Sequence, residues 1–158
     1  MVLTTHALTG AVIGKNLTNL PLIILLSLAI HFTMDSFRHG EYFDSRIAKI
    51  KDTWWKIALD LSIGFFIIIS FIYFKKPIPQ ETERIFLGSF FSLLPDLLTL
   101  MYWTFKENIA LAKVKTFHAF AHRYSRFPKY SPERQWTWRN ARNDILISLF
   151  TIFILFLL

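Results

Sequence analysis

The chain has 158 residues, 53% of them hydrophobic and 17% aromatic, with a formal net charge of +7 and no cysteine. One domain fits this length, while seventeen Phe and a mean hydropathy of +0.38 point away from an ordinary soluble core. Lack of cysteine excludes both a disulfide framework and a thiolate metal site.

Five apolar segments are predicted to enter a membrane: residues 2–13, 20–37, 54–74, 85–105 and 145–158. The expected fold is all-α, a single-domain polytopic bundle of four or five membrane helices with an added amphipathic surface helix over 108–126. Segment 2–13 lacks the basic start and unbroken apolar stretch of a cleavable signal peptide, because His6 interrupts it. It reads as a short or tilted helix in which His6, Gly10 and Gly14 recur every four residues on one face. Turn signals follow at 14–21, where Asn16 and Asn19 fall.

Segment 20–37 carries Ser27, His31 and Asp35 at the same spacing. An ionisable side chain inside an apolar run is costly and marks a functional site by default. An imidazole and a carboxylate on one helix face form half of a metal site. The third segment has Asp60 and Gly64, and the fourth has Gly88, Ser92 and Asp96, the last directly after Pro95. Small residues let membrane helices approach closely, so the four polar stripes are expected to face one another.

Residues 108–126 place Leu111, Val114, Phe117, Ala121 and Tyr124 on one stripe, with Lys113, Lys115, Arg123 and Arg126 elsewhere on the wheel. That pattern predicts a helix lying on the membrane surface. It also carries His118 and His122 one turn apart. Ser131-Pro132-Glu133 reads as a helix start leading into the last segment.

Lys and Arg are unevenly distributed: five in 38–56 and nine in 106–142, against Lys15, Lys75, Lys76 and Arg84 elsewhere. The positive-inside rule then sets the N-terminus and both basic connections in the cytoplasm. Trp54, Trp55, Trp103, Trp136 and Trp138 fall near segment ends, as an interfacial belt requires. The expected partners are the bilayer and anionic lipid head groups. A membrane-surface position accounts for the basic charge, so no nucleic-acid partner is expected.

With this topology His6, His31, Asp35, Asp60 and Asp96 all fall in the cytoplasmic leaflet. An unpaired Asp near the bilayer centre costs about 3 kcal/mol on the insertion scale, whereas zinc binding is worth on the order of 10 kcal/mol in small structural sites. Plain structural readings stand beside these. His31 and Asp35 would make a simple hydrogen-bonded pair, Asp60 would pair with Lys56, and His39 in its charged connection would be solvated.

Thr5-His6-Ala7 with Gly10, the stretch Ala29-Ile30-His31-Phe32-Thr33-Met34-Asp35-Ser36, and Leu93-Leu94-Pro95-Asp96 resemble the sequence blocks of bacterial and archaeal inner-membrane metal-dependent hydrolases, grouped near zinc-dependent phospholipase C-like sequences. Leu98 stands where that family has a second Asp, and His118 with His122-Arg123-Tyr124-Ser125 follows its His-rich block only in part. The resemblance implies that His6, His31, Asp35 and Asp96 are metal ligands or their neighbours. The expectation is one divalent metal, Zn²⁺ by its N/O ligand set, that activates a water against an ester or phosphoester. Asp60, His118 or His122 would serve as general base or orient a ligand. Two rivals use the same residues differently: an ion- or proton-coupled transporter, and a non-enzymatic scaffold that binds anionic lipid.

Overall fold

A computed structural model describes residues 1–40, 50–105, 108–122 and 136–157. These form six helices: α1 (Leu3–Asn16), α2 (Leu20–Asp35), α3 (Ile50–Lys75), α4 (Pro79–Thr104), α5 (Ile109–Ala121) and α6 (Trp138–Leu157). No strand occurs among the described residues. The Ser131-Pro132-Glu133 helix start, with Arg123, Tyr124, Ser125 and Arg126 of the predicted surface helix, lies outside them.

Local chemistry sets the boundaries. Asn19 caps α2 by accepting the Leu22 N–H, and Asn108 caps α5 by accepting that of Leu111. Lys76, at φ 48°, turns the chain out of α3, and Pro79 opens α4 two residues after Pro77.

Among the described residues, three stretches are long and apolar enough to cross a membrane: Thr53–Lys75, Pro79–Trp103 and Trp138–Leu157. The sequence led us to expect four or five. At 14 residues α1 is about 21 Å long, short of the roughly 30 Å hydrocarbon core, and α2 adds only two residues. Burial runs opposite to that of a water-soluble domain. Phe66, Ile69, Phe90, Phe150 and Phe153 point outward, while Thr4, Thr5, His6, Ser27, His31, Asp35, Ser89 and Ser92 are inside. An apolar exterior of this extent requires lipid around it, and the protein is a polytopic helical membrane bundle.

Helix α1 is the axis of the bundle, packed by α2, α3, α4 and α6, most extensively by α4. The α1–α4 crossing is close because glycines face it. A Cβ on Gly10 would land on the carbonyl oxygen of Gly88, one on Gly88 on the carbonyl of Gly10, and one on Gly14 on that of Arg84. From the middle of α1 toward Gly14 the bundle is packed with Ala7, Leu8, Ala11, Ile68, Phe71, Ile85 and Leu155. There Lys15 donates to the Leu155 carbonyl near the end of α6.

At the opposite end two acids from other helices close the start of α1. Asp60 accepts the N–H groups of Leu3 (2.7 Å) and Thr4 (3.0 Å), and Asp144 accepts that of Val2 (2.9 Å). These donors are among the four that an α-helix leaves unpaired at its start. Asp60 was expected to act as a base or ligand orienter, or to pair with Lys56. Instead both its carboxylate oxygens are committed to the backbone of α1, and its own carbonyl takes the Thr4 hydroxyl.

Candidate metal centre

The chain has five histidines, and all of them gather at the end of the bundle where α1 begins. Helix α1 brings His6, α2 brings His31 and Asp35, and α4 brings Asp96. Helix α5 lies across this end so that His118 turns inward, while Phe117 and Phe120 on its other side are exposed. His122 follows at the end of α5 and His39 shortly after α2. The rings form a row in the order His6, His31, His118, His122, His39, with centroid steps of 4.1, 5.0, 4.8 and 5.1 Å.

Asp35, wholly buried, lies against the middle of this row. Its Oδ1 is 3.2 Å from His6 Nε2 and also accepts from the Met1 amino group at 2.6 Å. Its Oδ2 is 3.1 Å from His31 Nε2, 2.9 Å from His118 Nε2 and 3.3 Å from His122 Nε2. Nε2 of His118 is 3.2 Å from that of His31 and 3.1 Å from that of His122. Asp96 reaches in from the edge, 3.6 Å from His118 and 3.9 Å from His6, with its side chain 28% exposed.

The outer contacts of the rings fix which nitrogen faces inward. His31 Nδ1 is 2.7 Å from the Ser92 carbonyl, and His39 Nδ1 is 2.9 Å from that of Phe37. A carbonyl only accepts, so both Nδ1 atoms carry a proton, and each ring, when neutral, directs an Nε2 lone pair the other way. His118 Nδ1 is 2.7 Å from the Thr99 hydroxyl, which donates its own proton to the Pro95 carbonyl at 2.9 Å. Thr99 therefore accepts from His118 Nδ1, which turns Nε2 toward Asp35. The Nε2 atoms of His31 and His118 lie 3.2 Å apart and both face Asp35 Oδ2, so a proton or a metal ion must lie between these acceptors. Metal-binding imidazoles are held in this way, with the second N–H tied to an oxygen.

The donor set fits a divalent metal. Bonds of 2.0–2.1 Å in a tetrahedral zinc site separate neighbouring donors by about 3.3–3.4 Å, close to the 2.9–3.3 Å from Asp35 Oδ2 to His31, His118 and His122 and from His118 to His31 and His122. Three groups have their ligand atoms within 4.8 Å of one another: His6, His31 and Asp96; His31, Asp35 and His118; and Asp35, His39 and His122. Buried Oδ2 of Asp96 and Nδ1 of His6 lack a hydrogen-bond partner among the described residues, and the carboxylate oxygen is a ready ligand. Burial lowers His39 from the usual value near 6.5 to about 3 and holds His122 well below it, so both are neutral at pH 7, the state that binds metals.

Of the residues singled out in the sequence, the structure brings together His6, His31, Asp35, Asp96, His118 and His122 and leaves Asp60 at the α1 cap. It adds His39, which the sequence placed in solvent and the fold buries. Nothing local to the Arg38-His39 pair signals that burial. It comes from Gly40 packing under Trp136, and from Arg38 reaching Asn140 across 102 positions of chain. Comparison with family models, with curated proteins and with solved structures finds no match to this chain.

Proposed function

We propose that this protein is a membrane-bound, metal-dependent hydrolase that uses Zn²⁺ to cleave an ester or phosphoester at the cytoplasmic face of the inner membrane. The observation that carries the reading is the convergence of imidazole lone pairs and two carboxylates at one end of a lipid-facing bundle. A divalent ion held there supplies Lewis acidity, lowering the pKa of water and polarising the substrate oxygen. His31 and His118 hold the ion through Nε2, with Ser92 and Thr99 fixing their rings. Asp35 gives the buried carboxylate. Asp96 alone among the acids of the cluster has a part-open side chain, so its carboxylate, with Oδ2 buried toward the ion, would take a proton from an attacking water and release it to solvent. Phe117 and Phe120 would seat α5 in the bilayer surface, with exposed Lys113 beside them for an anionic head group.

The transporter reading needs a polar path to the other face. The packed apolar residues and the α1–α4 glycine contact stand in that way, which favours a site served from one side. The site end is also the end from which the basic connections leave, which supports the cytoplasmic placement. Because the chain has no cysteine, orientation is testable with Lys113→Cys and Lys76→Cys in intact cells. A membrane-impermeant maleimide should label only the second, and labelling of only the first would reverse the orientation.

The functional test is turnover of p-nitrophenyl esters and bis(p-nitrophenyl) phosphate by the detergent-purified protein. Turnover restored by Zn²⁺ after chelation, and lost in His31→Ala and Asp96→Ala, supports the reading. Zinc-loaded protein inert on both substrate types would sink it.

A further inference from the structure

The donors at this site outnumber what one ion uses: five imidazoles in a row and two carboxylates. The ligand groups at the two ends of the row, His6 with His31 and Asp96, and His39 with His122 and Asp35, share no residue. Between them lies the Asp35 carboxylate, with Oδ1 turned to His6 and the Met1 amino group and Oδ2 to His31, His118 and His122. His118 lies there too, 3.6 Å from Asp96 and 3.1 Å from His122.

We propose that the cluster holds two divalent cations side by side, one on His6, His31 and Asp96 and the other on His39, His122 and Asp35, with His118 between them within reach of either. The proposal rests on the metal-centre reading above and adds the second ion and its ligands. It gives His39 a task that a one-ion centre leaves undefined. Helix α5, together with the segment after α2, completes the second position, whereas α1, α2 and α4 alone supply the first.

The test uses the whole chain in detergent, stripped with a chelator, loaded with Mn²⁺ and freed of excess ion. Mass spectrometry of the metal and electron paramagnetic resonance are then read on the same sample. The expected result is two Mn²⁺ per chain with a spin-coupled spectrum. The double variant His39→Gln, His122→Gln is expected to retain one ion with the uncoupled six-line signal. One ion per chain in the parent, or two without coupling, overturns the second site and leaves the hydrolase proposal standing. Coupled ions that persist in the double variant overturn the ligand assignment. No retained ion in the parent, whether it is loaded with Mn²⁺ or with Zn²⁺ in the same way, overturns both.

Discussion

Thr99 touches no substrate and would bind no ion, yet it controls one of the central ligands. Its hydroxyl accepts from His118 Nδ1 at 2.7 Å and donates to the Pro95 carbonyl at 2.9 Å. Thr99→Val keeps the shape of the side chain and removes the acceptor. His118 then loses the contact that fixes its protonated nitrogen, and a buried N–H is left unpaired. Loss of an outer partner of this kind weakens metal affinity about 10- to 100-fold, or about 1.4–2.7 kcal/mol. Affinity is measured on folded protein by competition with a chromogenic chelator, so a change in folding stability does not enter the result. Thr99→Ser retains the hydroxyl and should bind as the parent does. Equal affinity of the valine variant and the parent would refute His118 as an Nε2 ligand oriented from α4.

Gly88→Ala forces a methyl group into the backbone of α1, and is expected to lower stability in detergent by about 1–3 kcal/mol; an unchanged melting temperature would contradict the close α1–α4 crossing. Asp60→Ala removes the cap of α1 and is expected to cost about 1–2 kcal/mol while leaving the metal content of the folded protein unchanged. A stable Asp60→Ala protein that had lost its metal or its turnover would return Asp60 to the reacting centre. The metal-free protein should lose stability in acid, because an unfolded His binds protons from about pH 6.5 downward while buried His39 resists until about pH 3. The contribution is full above pH 6.5 and falls away toward pH 3. Chemical denaturation across that window checks it, and a His39→Gln variant with the same pH slope would contradict it.

The helices themselves and the ionisable faces of α1, α2 and α4 were legible because an acid or imidazole in line with small residues at every fourth position of an apolar run has few explanations. Gly10, Gly14 and Gly88 marked the contact faces for the same reason, since a helix surface of small residues has little use but close packing. His118 and His122 were visible as an i, i+4 pair. Their place beside Asp35 was not, because it depends on α5 crossing the end of the bundle, 83 positions along the chain from Asp35. Asp60 misled because an acid in an apolar segment looks alike whether it binds an ion or caps a helix 56 positions away. Helix α1 reads by length as a marginal membrane segment, but it needs no lipid contact at its middle, where Ala7, Leu8 and Ala11 are fully enclosed.

The central claim is that imidazole nitrogens and carboxylate oxygens at the start of α1 bind a metal. Zinc-edge X-ray absorption of the purified full-length protein tests it most directly. We expect a first shell of nitrogen and oxygen at about 2.0–2.1 Å, with the outer-shell scattering of several imidazoles, abolished in His31→Ala. A protein that retains no zinc, or zinc whose spectrum shows only water oxygens and no imidazole, would contradict the account.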